Sequence, residues 1–246
     1  MAADERLELL SQLISDAAVM AKGWYHNRHT LAVNEKQGKQ YVSAADLAIE
    51  GAIRELIRAS FPQDAILGEE GGGELTGVTW VIDPIDGTSN FLNGLPLWGV
   101  SIGVMLDREP ILGAITLPAL GVQLVGGPRH RISGLEDRII TAPPIPTMAV
   151  GWNSGLSDEE ERRQITAIRN AGFETVGYRC ASASLYFSVT GSLSGYYEKG
   201  LKLWDLAAGI ALCAAAGVPT AVDWPGPDGD DPFVLKVGAA VSIPGL

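Results

Sequence analysis

Leu7, Leu10, Ile14, Ala17, Ala18 and Ala21 recur at helical spacing, so residues 3 to 22 are expected to form an amphipathic helix. The polar stretch Tyr25 to Gln40 reads as loop. A second helix is expected from Ser43 to Ala59, with Ile49, Ala52, Ile53, Leu56 and Ile57 on its inner stripe and Phe61-Pro62 ending it. The hydrophobic period then shortens. Apolar runs predict strands near 79–83, 99–106, 111–117, 121–126 and 138–142, and in the second of these Val100, Ile102, Val104 and Leu106 alternate as a sheet face requires.

Ala142-Pro143-Pro144-Ile145-Pro146 interrupts this pattern, and beyond it helix and strand signals alternate. Two halves are therefore expected, 1–142 and 143–246. In the second, Ser157 and Glu160 form a capping box for a helix to about Ala171. A strand near 173–177, a helix over 181–190, a strand carrying Tyr196-Tyr197-Glu198 and a last helix from Trp204-Asp205 follow. The mixture predicts an α/β chain built in layers.

Composition narrows the options. The 246 residues are 46% hydrophobic and 19% charged, which specifies a folded core rather than disorder. A net charge of −11 disfavours a nucleic-acid partner, because phosphate-backbone binders need a basic face. The start, Met1-Ala2-Ala3-Asp4-Glu5, has neither the basic nor the apolar region of an export signal, so a cytoplasmic location is expected. Residues 110–128 and 206–222 are uncharged, but Pro118 and Pro219 lie within them, so both are expected in the core and no membrane contact is expected. Cys180 and Cys213 have no metal-ligand spacing, which argues against a zinc site and a disulfide framework. Cys213, in an Ala-rich run, is expected to be a small core residue.

The candidate chemistry begins where a strand stops. In Trp80-Val81-Ile82-Asp83-Pro84-Ile85-Asp86-Gly87-Thr88-Ser89-Asn90-Phe91 an apolar run gives way to two carboxylates, a glycine and a hydroxyl. Ligands gather at the carboxyl ends of strands in layered α/β proteins. Two carboxylates about 4 Å apart repel by roughly 4 kcal/mol at an effective dielectric near 20, which a divalent cation reverses. Gly87 and Thr88 offer N–H groups and a hydroxyl to an anion. Three more acidic signals accompany this one: Gly68-Glu69-Glu70-Gly71, Ser43-Ala44-Ala45-Asp46, and Tyr197-Glu198 through Trp204-Asp205-Leu206-Ala207-Ala208-Gly209. Each has a plain structural explanation, as a solvated turn, a capping box and a helix N-cap respectively.

Together and in this order, the Gly-Glu-Glu, Asp-Pro-Ile-Asp-Gly-Thr and Trp-Asp-x-Ala-Ala-Gly signatures resemble the inositol monophosphatase family, over residues 43 to 217. The resemblance implies an alternating helix-sheet-helix-sheet-helix sandwich. It also implies a lithium-sensitive, magnesium-dependent phosphatase acting on a small phosphorylated polyol, and a homodimer. On the family pattern Glu69, Asp83 and the Ile85 carbonyl hold one magnesium, and Asp83, Asp86 and Asp205 hold a second, so that the N-terminal half carries most metal ligands. The oxygen donor set suits magnesium. Asp46 and Thr88 match the pair that activates the attacking water, and Glu69 counts with them as catalytic. Asp86, Gly87, Thr88, Ala181, Glu198 and Asp205 match substrate contacts, with Lys202 near the substrate alcohol. The implied reaction is direct in-line attack by a metal-activated water.

Two features depart from the family pattern. The stretch from Thr116 to Ile140 is shorter than usual and lacks a Gly-Ala-x-x-Asn-Gly segment, which bears on the local hairpin and the dimer surface. Gln40 stands where an Asp is common in the 36–42 loop that serves a third, weaker magnesium. Myo-inositol monophosphate is the first-choice substrate. Histidinol phosphate, towards which Gly94-Leu95-Pro96-Leu97-Trp98-Gly99 has some likeness, is the runner-up, with fructose 1,6-bisphosphate and nucleotide 3′-phosphates beside it. A regulatory binding protein on the same fold is the reading from a different class.

Overall fold

The computed structural model describes residues 2–31, 33–36, 40–135, 142–152, 156–224 and 233–246. The first helix, α1 (Ala2–His26), buries Leu10, Leu13, Ile14, Ala17 and Ala21. The segment expected as loop from Tyr25 to Gln40 is structured instead: it completes α1, makes a 3-10 turn at Arg28–Thr30 and enters a hairpin of β1 (Val33–Lys36) and β2 (Gln40–Ser43). Ladder hydrogen bonds come from the backbone, so a strand without alternating apolar residues leaves little sequence signal. Helix α2 (Ala44–Ser60) follows, burying Ile49, Ile53 and Ile57, whereas Leu56, expected on that stripe, is exposed.

A six-stranded sheet comes next. It contains β3 (Ala65–Gly68), β4 (Val78–Asp86), β5 (Gly99–Leu106), β6 (Glu109–Leu117), β7 (Val122–Gly127) and β8 (His130–Ser133), adjacent in that order, with a short helix α3 (Thr88–Asn93) between β4 and β5. β3 runs parallel to β4 and the remaining pairs are antiparallel. β3 is only four residues long, too short for periodicity to reveal. Of the strand expected at 138–142, residues 138–141 lie outside the described residues and Ala142 is not in a strand. Successive β7 and β8 hairpin strands occupy the shortened segment.

The rest of the chain forms β9 (Thr147–Gly151), α4 (Asp158–Asn170), β10 (Glu174–Val176), α5 (Ala181–Val189), β11 (Gly195–Leu201), α6 (Leu203–Ala216), β12 (Thr220–Asp223) and β13 (Phe233–Gly238). Their five strands order as β10-β9-β11-β13-β12. The capping box at Ser157 and Glu160 starts α4 as expected.

Alternation along β4 stacks the layers. Trp80 and Ile82 join α1 and α2 in one core, while Val81 joins α5 and α6 in another, together with Tyr196, Leu235 and Val237 of the second sheet. A third core under α4 contains Met148, Val150, Ile168 and Tyr197. The result is helix, sheet, helix, sheet, helix. Each large apolar side chain buried in these cores stabilises the fold by about 1.5–3 kcal/mol.

The apolar half of the Trp-Asp-x-Ala-Ala-Gly signature is a packing device. A Cβ added to Gly103 or Gly113 would strike Ala207 or Ala208, and one added to Gly209 would strike Leu185 of α5. Small residues thus bring α6 against β5 and β6, which sets Asp205, in the first turn of α6, beside the carboxyl end of β4. Gly113→Ala is expected to lower stability by about 1–3 kcal/mol through overpacking against the Ala208 backbone. Gly51→Ala, on the exposed face of α2 with open space around it, should raise stability by about 0.5–1 kcal/mol. Urea denaturation of the two variants tests the contrast.

Candidate active site

β4 leaves its ladder between the two carboxylates. Asp83 pairs with Ser101 and Asp86 with Gly99, so one extra β4 residue is accommodated where Pro84 has no N–H to donate. This bulge turns both acids into one region. Asp83 is buried, and its Oδ1 accepts from Ile85 N at 3.1 Å. Asp86 is buried as well and accepts from two backbone donors at the start of α5, Ala181 N at 3.2 Å and Ser182 N. Its carboxylate therefore caps a helix far away in sequence.

Glu69 follows β3 directly, and its N–H bonds to Ile82 O, so it stands beside the end of β4. The loop that carries it is held by Glu50, which the sequence reading did not single out. Glu50 is buried in α2 and accepts from Glu70 N and Gly71 N, both at 2.9 Å, and from Arg54 Nε at 2.6 Å. An acid beside Ile49 on the buried face, with an arginine four residues on, was the available signal.

Asp205 lies in the first turn of α6 and accepts from Lys202 N at 2.6 Å. Glu198 projects from β11 opposite Gly151 of β9, where any Cβ would overlap its carboxyl group. Glycine at 151 is thus the condition for Glu198 to turn inward, and Tyr196 donates its hydroxyl to Glu198 Oε2. Glu69, Asp86, Ala181, Glu198, Lys202 and Asp205 line one cavity of about 390 Å³. Arg179, Trp152 and Trp204, not anticipated, line it too.

The remaining candidates have local bonds. Asp46 Oδ2 accepts from Ser43 N and Oγ at 2.9 and 2.6 Å, completing the capping box, while its Oδ1 is buried without a hydrogen-bond partner among the described residues. Thr88 starts α3 after Gly87, which has φ 80°, and donates its hydroxyl to Ile85 O at 3.1 Å. No hydrogen bond joins Thr88 to Asp46 among the described residues. Residues 37–39 of the 36–42 loop lie outside the described residues.

Charge is the dominant feature of the site. Burial, followed by the negative charges of Glu69, Asp86, Asp205 and Asp46, holds the Asp83 carboxyl well above its ordinary range. Burial and then Asp86 do the same to Asp205. Asp86 is also raised by burial, against the opposing pull of the Ser182 N–H. Burial lifts Glu198 to about 7. Among the described residues no three His, Cys, Asp or Glu side chains stand close enough to share one ion, so these acids neighbour one another without converging. All the donors are oxygen and the acids raise one another's proton affinity, which together fit a hard divalent cation.

Arg179 adds backbone strain. Its φ is +52°, and the other non-glycine residues with positive φ among those described, Asp107 and Arg108, form the β5–β6 turn. Such a conformation costs about 1–3 kcal/mol unless its surroundings fix it.

Glu198 has a folded pKa of about 7 against an ordinary 4.5, so its contribution to stability is complete below 4.5 and is lost as pH rises through about 7. Asp83 and Asp205 shift in the same direction. In the metal-free protein, the melting temperature is therefore expected to fall between about pH 5 and pH 8, and Glu198→Gln should flatten part of that fall. Differential scanning calorimetry in chelator gives the slope, and a rising melting temperature over this window would contradict the charge assignment.

A model described as the inositol monophosphatase family matches residues 2–241. A Nus factor SuhB of Pasteurella multocida (strain Pm70) is 32% identical over 212 residues, covering 81% of this chain and 78% of that protein. A fructose-1,6-bisphosphatase/inositol-1-monophosphatase of Aquifex aeolicus (strain VF5) is 32% identical over 197 residues, covering 75% and 73%. The solved structure of the Thermotoga maritima IMPase superposes with a TM-score of 0.81 at 22% identity, covering 96% of this chain and 93% of that one, which is a likeness of fold.

Proposed function

The chain belongs to the inositol monophosphatase family of phosphatases, and from that premise we propose that it hydrolyses a small polyol phosphomonoester with magnesium, myo-inositol monophosphate being the first substrate to test. The observation that carries this reading is a set of mutually repelling acids from a strand bulge, a helix start and a loop: Glu69, Asp86 and Asp205 line one polar cavity, and all three raise the proton affinity of the buried Asp83. Glu69, Asp83, Asp86, Asp205 and the Ile85 carbonyl are the groups that would hold magnesium. When bound, magnesium supplies charge neutralisation at the phosphoryl oxygens and makes water more acidic.

The chain's own groups have distinct tasks in this proposal. Ser43 occupies Asp46 Oδ2, which leaves Oδ1 to take the proton of the attacking water. Because Thr88 spends its hydroxyl hydrogen on Ile85 O, its oxygen lone pairs remain to accept from that water and orient it. Attack forms a bond from water oxygen to phosphorus as the ester P–O bond breaks, and the leaving alcohol takes up a proton. Glu198, half-buried and held by the Tyr196 hydroxyl, is the acceptor this reading assigns to a substrate hydroxyl. Gly87 and Thr88 offer backbone N–H groups to the phosphate. Location in the cytoplasm and a dimeric assembly belong to the same proposal.

SuhB among the relatives gives a concrete form to the second reading, a regulatory binding protein on this fold. The complete acid set favours catalysis, since binding alone has no need of buried repelling carboxylates.

Turnover of myo-inositol 1-phosphate is expected to require magnesium, and Asp83→Asn should lower kcat at saturating magnesium by a factor on the order of 10³, because Asp83 is assigned to both metal positions. Wild-type turnover in that variant would defeat the assignment. Phosphate release with and without magnesium also separates an enzyme from a binding protein.

Asp46→Asn and Thr88→Ala should each lower kcat on the order of 10²-fold, and the double variant should be little worse than either single one, since groups acting as a unit are non-additive. Multiplicative losses measured in single-turnover assays would leave Asp46 as a helix cap alone.

A further inference from the structure

Helix α2 carries a polar row beside its apolar one. Asp46, Glu50 and Arg54 recur every four residues and so share a face, next to Ile49, Ile53 and Ile57, whose burial fixes the helix in the core shared with α1. Asp46, first in the row, is near enough to Asp83 for its charge to be felt there. Glu50, one turn on, is buried, yet its carboxylate is turned to the chain between β3 and β4.

That chain is not held by apolar burial, since no side chain from Glu69 to Glu74 is buried. Hydrogen bonds set its conformation instead. Gly68 and Gly72 exchange N–H···O bonds at 3.0 Å each, and Glu50 accepts from two successive N–H groups between them, Glu70 N on Oε2 and Gly71 N on Oε1. Arg54 closes the network, donating Nε to Glu50 Oε1 at 2.6 Å and Nη2 to Gly72 O at 2.5 Å.

The fit leaves no room for side chains. A Cβ on Gly68 would overlap the Glu50 carboxylate, and one on Gly71 would stand 2.8 Å from Glu50 Oε1 and 2.9 Å from Arg54 Nη2. Glycine on either side of Glu69-Glu70 therefore lets the helix carboxylate reach the backbone. The position also demands a carboxylate: two N–H groups and a guanidinium need acceptors on both oxygens, and an amide would set its own NH2 against one of them.

We propose that Glu50, locked by Arg54, is the positioning residue for Glu69, and that this clamp sets how tightly the protein binds magnesium. The proposal rests on Glu69 as a magnesium ligand and adds to that reading the group that orders the ligand. Glu50 bonds the residue directly after Glu69, while Glu69 N itself bonds Ile82 O at 3.1 Å, so the backbone of Glu69 is pinned from α2 on one side and from β4 on the other. Groups that orient a metal ligand from behind commonly account for about 10–100-fold in affinity.

The test is isothermal titration calorimetry of chelator-stripped protein with magnesium chloride, which reads affinity without turnover. Glu50→Gln is expected to weaken magnesium binding about tenfold, with kcat for myo-inositol 1-phosphate at saturating magnesium falling by a smaller factor. In a Glu69→Gln background the same change should add little further loss, since the clamp then has no ligand to orient. Ile53→Val, which loosens the apolar row of the same helix, is expected to lower the melting temperature and leave the affinity near that of the wild type. Arg54→Met, which spares the N–H bonds from Glu70 and Gly71 to Glu50, should give a smaller loss in the same direction, and it is the variant read if Glu50→Gln does not fold. Unchanged affinity in the folded variant, an equal loss in Ile53→Val, or an undiminished further loss on top of Glu69→Gln overturns the clamp. A wild type that binds magnesium but hydrolyses no phosphomonoester overturns the phosphatase reading alone, and the clamp stands or falls on the same affinities. A wild type that does not bind magnesium overturns both.

Discussion

Neighbouring carboxylates withdrawn from water repel, and each would be more stable hydrated or neutral, yet this fold brings the buried Asp83 and Asp86 and the half-buried Asp205 and Glu69 together near the end of one strand. No described cation side chain makes an ion pair with any of these aspartates. What holds them is backbone. Asp83 takes an N–H from Ile85, Asp86 takes two from α5, and Asp205 takes one from Lys202. Each bond fixes a carboxylate without a cation to cancel its charge, which leaves negative charge that a divalent cation would neutralise.

The layers exist around that arrangement in a literal sense. The bulge at Pro84 and Ile85 turns Asp86 toward α5, the contact of Gly103 and Gly113 with Ala207 and Ala208 brings α6 down on the sheet, and Glu50 fastens the loop of Glu69 to α2. These devices lie in different layers and act on one small region. Loosening α6 therefore moves an acid as well as a core, so packing and charge placement are coupled in this fold.

Much of this was legible in the sequence. The acids of the Asp-Pro-Ile-Asp-Gly-Thr and Trp-Asp signatures could be found because a buried run ends at the first and a helix begins at the second, both local signals. The helices α1, α2, α4, α5 and α6 and the strands β4 to β7 announced themselves by length and apolar content. Short strands did so unevenly: β10 was expected near 173–177, but β3 and β12 have only four residues, β1 and β2 lack apolar alternation, and β9 and β13 both pair with β11, far from each along the chain. Glu50, Gly151 and Arg179 were missed for the same reason, since what defines them is a carboxylate seat, a space for Glu198 and a strained position between two anchors. None of these exists before the chain has folded.

If uncompensated acidic charge is the constraint on which the site rests, adding the compensating ion should be visible in the stability of the whole protein. Thermal unfolding of chelator-treated protein, titrated with magnesium chloride and in parallel with sodium chloride at equal ionic strength, measures this directly. Magnesium binding to the native state is predicted to raise the melting temperature progressively while sodium does not, with the response greatly reduced in Asp83→Asn. Identical curves for the two salts, or an undiminished magnesium response in that variant, would contradict the account.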